Sequence, residues 1–309
     1  MKKGTWITIF LIMVLLIGLS LLLYPFFSNY WNSRRQTKAI ANYTEYVEKL
    51  EEEDYSAFWE SAYAYNDSLV PRSNPYLLTQ EQADRYPREL NVTGNGIMGF
   101  IDIPSIDVSI PIYHGTGEDV LQVAVGHIEW SSLPAGGEST HCVVSGHRGL
   151  PSAKLFSDLD KLKAGDYFVL SVLDKTLTYE VDQIRIVEPQ ETKDLLIQEG
   201  KDLCTLVTCT PYGVNSHRML VRGHRVENLE QAQIVRVTAD ALIVEKMVVA
   251  PFVLVPILFV MLIFLLVSTR NLRIIGQFAA DLFHTHLNDC IILTDKIHRP
   301  SHTIGIIYK

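Results

Sequence analysis

Three residues at the ends of short apolar runs have the side chains that cysteine-based acyl transfer requires. Cys209 ends the run 205–208 and is followed by turn-forming residues, so a predicted strand stops at a thiol. His147 ends a similar run, and Arg218 lies nine residues beyond Cys209. A thiolate attacks carbonyl carbon, a histidine protonates a leaving amine, and an arginine stabilises an oxyanion. Taken singly, a cysteine in a strand is usually a small buried hydrophobe, and a lone histidine or arginine is usually a solvated or hydrogen-bonded structural residue.

A set of short strands is predicted to position these side chains. Alternating or apolar runs predict strands at 99–104, 108–113, 142–145, 167–172, 176–186, 203–209 and 218–222, and short helices at 119–125 and 153–162. Seven or eight short strands with few helices favour a closed β-barrel over a doubly wound sheet. In such a sheet Cys209, His147 and Arg218 can share one rim.

Two uncharged apolar blocks account for much of the 48% hydrophobic content of this 309-residue chain. They span 6–27 and 247–267, and both are long enough to cross a bilayer. Lys2 and Lys3 precede the first block, while Arg270 and Arg273 follow the second, so both termini are predicted to be cytoplasmic. The alternatives are a cleaved signal peptide for the first block and a buried core helix for the second.

The blocks divide the chain into six predicted regions. These are an anchor (1–27), a helical segment that ends in a loop (28–91), a folded barrel (92–226), a linker (227–246), a second transmembrane helix (247–267) and a cytoplasmic tail (268–309). Ile40, Tyr43, Val47 and Leu50 have helical spacing, which is predicted to continue through 58–59 and to end at a turn cluster, 66–68.

Composition excludes other classes of function. The net charge is −8 and the central segment has no basic stripe, so nucleic-acid binding is not predicted. Cys142, Cys204, Cys209 and Cys290 are too few for a disulfide scaffold and have no zinc-site spacing. We therefore predict neither a metal nor a cofactor.

Three segments resemble the sortase family, and most closely its class C, the pilin-polymerising group. They are TLVTCTPYGVNSHRMLVRG (205–223), VVSGHRGLPSAKLFSDLDKLKAGD (143–166) and IMGFIDIPSIDVSIPIYHGT (97–116). The resemblance implies a mainly β fold, a sortase-type closed barrel of about eight strands with short helices, an N-terminal helix and lid, and two flanking transmembrane helices.

The resemblance also assigns roles and partners. Cys209 matches the family's nucleophile, His147 its histidine and Arg218 its arginine. Such enzymes cut an LPxTG-like sorting signal between Thr and Gly and hold the Thr as a thioester. In class C, a lysine of the next pilin subunit then resolves the thioester. The expected partners are therefore pilin subunits and the cytoplasmic membrane, with the catalytic barrel outside the cell.

Similar class C proteins have an Asp-Pro-aromatic lid over the cleft, and the matching residues here are Asn74, Pro75 and Tyr76. Tyr76 retains the aromatic ring, but the Asn74 amide has no charge with which to pair Arg218. We therefore expect a weaker, more often open lid. An ordinary surface loop is the alternative.

One expectation comes from spacing rather than resemblance. Cys142 lies five residues before His147, and Cys204 lies five before Cys209. If the two strands are parallel neighbours, Cys142 and Cys204 sit side by side on the opposite face from the catalytic pair, as two thiols or as a disulfide.

Two other functions stay open at this point. One is a housekeeping sortase that attaches proteins to the cell-wall precursor. The other is a non-catalytic barrel that binds surface proteins.

Overall fold

The computed structural model describes residues 3–70 and 72–228. The helices are α1 (Lys3–Val47), α2 (Glu52–Leu69), α3 (Gln80–Arg85) and α4 (Glu118–Leu121), with 3-10 turns at Tyr86–Arg88, Pro104–Ile106, Leu159–Lys161 and Lys193–Leu195. The strands are β1 (Ile97–Ile103), β2 (Val108–His114), β3 (Val125–His127), β4 (Thr140–Ser145), β5 (Tyr167–Val172), β6 (Lys175–Val187), β7 (Asp202–Thr210) and β8 (His217–Val226).

The eight strands close into a barrel in the order β1-β2-β3-β4-β7-β8-β6-β5. The pairs β2–β3 and β4–β7 are parallel, and the other pairs are antiparallel. Because parallel strands end at the same edge of a sheet, the carboxyl ends of β4 and β7 share one rim. The predicted closed barrel of about eight strands is confirmed.

Alternation along the strands fills the barrel interior with branched and aromatic side chains. Leu206 and Val221 face inward from β7 and β8, and both are fully buried. Phe168 and Tyr179 stack inside the barrel with ring centroids 5.5 Å apart. This core holds the backbone of β7 in place up to the rim, where Cys209 lies.

Helix α1 runs without interruption from the apolar block to the barrel and contains Pro25. Within residues 3–70 and 72–228, α1 is the helix long and apolar enough to cross a membrane, over Ile12–Val47. Tyr43, one of the residues with helical spacing, is buried, and its hydroxyl donates to the Met98 carbonyl at 3.0 Å. The predicted second transmembrane helix, the tail and the linker from residue 229 onward lie outside the described residues.

Four local predictions were wrong. The helix does not continue through 58–59, because α1 ends at Val47 and α2 begins at Glu52. The cluster 66–68 is not a turn but the last turn of α2, where the buried Asn66 side chain binds both backbone groups of Leu133 at 2.7 and 3.3 Å. The predicted helix 119–125 is only the single turn α4, followed by the short strand β3, which was not predicted.

The predicted helix 153–162 contains only the 3-10 turn Leu159–Lys161. Two hydrogen bonds join the preceding loop, at Ser152 and Lys154, to helix α1. Asn32 Nδ2 donates to the Ser152 carbonyl at 2.7 Å, and Lys154 N donates to Asn29 Oδ1 at 2.8 Å.

Candidate active site

Cys209 and Arg218 face each other across two neighbouring strands. They are direct partners in the antiparallel register of β7 and β8, so their side chains project from the same face. Both are partly exposed. Arg218 Nη1 donates to the Asn215 and His217 carbonyls, both at 3.1 Å, which holds the guanidinium at the tip of the β7–β8 loop.

His147 leaves the neighbouring strand at the same height. Ser145 pairs with Val207 in the parallel register of β4 and β7, and Gly146 N donates to the Val207 carbonyl at 3.0 Å. Thr208 Oγ1 donates to the Gly146 carbonyl at 2.8 Å. His147 is the next residue, so the backbone brings it to the end of β4 beside Cys209. The structure thus gathers all three predicted residues at one rim, and their catalytic roles stay a prediction.

A buried apolar cluster lies below this rim on the same face of the sheet. Val207 is two residues before Cys209, and Leu220 is two residues after Arg218, so strand alternation turns them to that face. They pack with Val143, Val187 and Leu195 in a cluster separate from the barrel interior, against which Ile128 and Trp130 also pack. All five side chains are at most 7% exposed, so the cluster supports the sheet beneath Cys209 and Arg218.

Two charged residues flank His147. Glu118 Oε2 lies 4.0 Å from His147 Nε2, and the imidazole is 30% exposed. The Arg148 side chain is only 9% exposed. Its Nη1 donates to Thr210 Oγ1 at 3.1 Å, and its Nη2 donates to Asp160 Oδ2 at 2.5 Å. Arg148 therefore ties the loop after His147 to the residue that follows Cys209.

The predicted lid residues form a tight turn after α2. The Asn74 side-chain oxygen accepts a hydrogen bond from Tyr76 N at 3.0 Å, so the amide serves the turn itself. The Tyr76 ring packs edge-on against Trp130, with ring centroids 5.2 Å apart. Arg72 Nη2 donates to the Trp130 carbonyl at 2.8 Å, which fastens the start of the loop. The lid loop therefore lies against the same apolar cluster that borders Cys209.

The two other described cysteines lie deep in the sheet. Cys142 and Cys204 are direct partners in the β4–β7 register, so the predicted adjacency is confirmed. Both are buried free thiols, and no disulfide joins them. Burial raises the pKa of the Cys204 thiol well above its usual value, so this thiol stays protonated.

His141 shows how differently a histidine of β4 behaves when it is buried. Its Nδ1 lies 2.9 Å from the Leu196 carbonyl, and its Nε2 lies 2.7 Å from Thr205 Oγ1. A neutral ring can donate through Nδ1 and accept from the hydroxyl through Nε2, so both contacts are satisfied without charge. Burial is the main cause that lowers the His141 pKa to about 4.

Sequence reasoning missed Glu118, Trp130 and Arg148. Only Arg148 had a signal in the sequence, because it adjoins His147; Trp130 and Glu118 lie far from His147 along the chain. Within residues 3–70 and 72–228, no group of three or more His, Cys, Asp or Glu side chains is placed to hold a metal ion.

Comparison with characterised proteins places this arrangement in a known family. A family model described as the sortase domain matches residues 101–226. Sortase D of Bacillus subtilis (strain 168) is 33% identical over 131 residues, which cover 41% of this chain and 63% of that protein. Sortase A of Streptococcus agalactiae (serotype III, strain NEM316) is 32% identical over 37% of this chain and 47% of its own length. The chain thus spans about half to two thirds of these two relatives.

Solved structures are more similar. Sortase C1 of Streptococcus agalactiae is 52% identical with a TM-score of 0.59, over 62% of this chain and 100% of that one. Sortase C of Streptococcus pneumoniae is 46% identical with a TM-score of 0.56, over 62% of this chain and 97% of that one. The chain belongs to the sortase family.

Proposed function

We propose that the protein is a membrane-anchored, class C-type cysteine transpeptidase that joins pilin subunits. The observation that carries the proposal is the placement of Cys209, His147 and Arg218 at one rim of the barrel. Identity supports the class: the sortase C structures are 46% and 52% identical, against 33% and 32% for the curated sortases D and A. Pilin substrate specificity is described for the Streptococcus pneumoniae protein.

In the proposed acylation step, the Cys209 thiolate attacks the Thr carbonyl carbon of an LPxTG-like signal. The carbonyl electrons move to oxygen, and the Arg218 guanidinium stabilises the resulting oxyanion. When the tetrahedral intermediate collapses, the Thr–Gly bond breaks and His147 protonates the leaving Gly amine. The products are a Cys209–Thr thioester and a free glycine amine.

In the proposed transfer step, a lysine amine of the next subunit attacks the thioester. Neutral His147 accepts the proton of the attacking amine, and the Cys209 thiolate leaves. The product is an amide bond between Thr and the lysine side chain. No external energy source is required, because one acyl bond replaces another.

The test uses the full chain in lipid vesicles with a pilin subunit that ends in an LPxTG-like signal. We expect subunit multimers in which mass spectrometry finds Thr joined to a lysine Nε, and no multimers with Cys209→Ala. Transfer only to an amine of the cell-wall precursor would favour the housekeeping alternative. Neither product, with no acyl adduct on Cys209, would favour a non-catalytic barrel.

A further inference from the structure

Helix α1 has a docking face beyond its apolar block. Asn29, Asn32, Gln36 and Tyr43 recur at spacings of three, four and seven, so they share one side of the helix. Each of their side chains hydrogen-bonds the backbone of the barrel region: Asn29 to Lys154, Asn32 to Ser152, Gln36 to Val123 and Tyr43 to Met98. Since α1 is continuous, no flexible linker separates the apolar block from these contacts.

The order of these contacts places the rim near the membrane. Asn29 and Asn32 bind the loop that follows His147 by five to seven residues, and Gln36 Nε2 donates to the Val123 carbonyl at 2.6 Å, just before β3. The last residue of the apolar block, Phe27, precedes Asn32 by five residues, or about 8 Å along the helix axis. The loop that follows His147 therefore contacts α1 within about 8 Å of the apolar block.

The opposite side of this helical turn carries exposed aromatic and basic residues. Tyr30 and Trp31 are 38% and 61% exposed. The Arg34 guanidinium lies 5.2 Å from the Tyr30 ring centre, and that of Arg35 lies 5.9 Å from Trp31. Tyr and Trp are enriched where a helix leaves the bilayer, and arginine binds phosphate oxygens with its planar fork.

We propose that α1 acts as a spacer of fixed length. Tyr30, Trp31, Arg34 and Arg35 lie among the phospholipid headgroups of the outer leaflet, and the docking face holds the rim just above that layer. The enzyme then acts on a scissile bond held at the same short distance by a substrate anchored in the same membrane. This inference rests on the proposed function and adds the geometry by which the substrate is selected.

The first experiment lengthens the spacer. Seven helix-forming residues inserted after Phe27 in the full chain raise the barrel by about 10 Å and nearly preserve the helix face, because seven residues make about two turns. The variant and the parent are compared in lipid vesicles on two substrates. One is a polypeptide with an LPxTG-like signal and a hydrophobic anchor in the same vesicle, and the other is a soluble peptide with that signal.

We expect the insertion to lower the rate on the anchored substrate about tenfold or more, since a tether of the wrong length prevents simultaneous engagement. The rate on the soluble peptide should stay within about twofold. Three extra extended residues between signal and anchor, adding about 10 Å, should restore the anchored rate. Equal rates of parent and variant on the anchored substrate would overturn the spacer. If the parent converts neither substrate, the proposed function fails, and this inference fails with it.

A second measurement does not depend on activity. Fluorescence of the full chain in vesicles is recorded with and without a headgroup spin-labelled lipid, for the parent and for Trp31→Phe. The difference isolates Trp31, which we expect the spin label to quench and aqueous iodide to quench little. Strong iodide quenching without spin-label quenching would place Trp31 in water and overturn the proposed headgroup contact.

Discussion

Cysteine and histidine side chains occur at two depths along β4, β7 and the residues that follow β4. The deep side chains are buried, whereas those at the rim are partly exposed. In the deep layer, Cys142 and Cys204 face each other in the barrel wall, and His141 is buried with both ring nitrogens bonded. At the rim, five or six residues further along the same strands, Cys209 and His147 are partly exposed and lie beside Arg218. Position in the sheet, rather than residue type, decides which cysteine and which histidine are accessible to solvent.

The largest expected difference between the layers is in thiol reactivity. In a Cys290→Ser background, a small thiol reagent should modify Cys209 at least about a thousandfold faster than Cys142 or Cys204, because the deep thiols react only when the barrel opens. Peptide mapping by mass spectrometry at successive times gives the three rates. If Cys204 were modified as fast as Cys209 in the folded protein, the barrel would not protect the deep thiols, and the difference between the two layers would be wrong.

The second difference concerns two arginines of β8. Arg218→Gln should lower kcat about 10²- to 10³-fold, because it removes the proposed oxyanion partner. Arg222→Gln, four residues along, removes a guanidinium that pairs with Asp182 at 2.9 Å, and should change kcat by less than about threefold. Turnover of the soluble peptide checks both variants. Equal losses would show that Arg218 has no special role at the rim.

The third difference is the protonation of the two histidines. His141 has a pKa of about 4 in the folded protein against about 6.5 when unfolded, so the unfolded chain binds more protons between those values. His141 therefore contributes full stability above pH 6.5, and that contribution is lost as the pH falls towards 4. The expected loss is about 2 kcal/mol.

The measurement compares the parent with His141→Gln by urea unfolding at pH 7 and pH 4.5. The parent should lose more stability than the variant over this range. The difference between the two proteins is needed because Asp102 acts in the opposite direction: burial raises its pKa to about 6, so it gains stability as the pH falls. If the free energy of unfolding falls equally in the parent and the variant between pH 7 and pH 4.5, His141 does not have the lowered pKa described above.

The smallest expected effect concerns the lid. Asn74→Asp gives the turn a carboxylate that could pair with Arg218, and should slow modification of Cys209 by about two- to fivefold. The double variant Asn74→Asp/Arg218→Gln should return to the rate of Arg218→Gln alone. Equal rates for Asn74→Asp and the parent would count against a lid weakened by its amide.

Much of the fold could be predicted from local patterns, because the barrel strands have apolar periodicity and clear ends. The strand β3 could not, since its three residues are held by pairing with β2 and β4 rather than by their own propensity. The loop 152–158 was mistaken for a helix because two of its hydrogen-bond partners, Asn29 and Asn32, are more than 100 residues away. Likewise, Asn66 was predicted to lie in a turn because asparagine is common in turns, whereas its side chain bonds the distant backbone of Leu133.

Spacing also carried part of the site. On the condition that β4 and β7 are parallel neighbours, the matched offsets of Cys142–His147 and Cys204–Cys209 predicted that Cys142 and Cys204 are adjacent, and the β4–β7 pairing confirms this. Arg148 was not predicted, because its bridge from Thr210 to Asp160 joins segments that only the fold brings together.

The most direct test of the central claim is the mass of the full chain after incubation with an LPxTG-like peptide, in the parent, Cys204→Ala and Cys209→Ala. We predict a thioester adduct in the parent and in Cys204→Ala that equals the peptide truncated after Thr, and none in Cys209→Ala. An adduct that survives Cys209→Ala, or is lost in a folded Cys204→Ala, would contradict the assignment of the rim cysteine as the nucleophile.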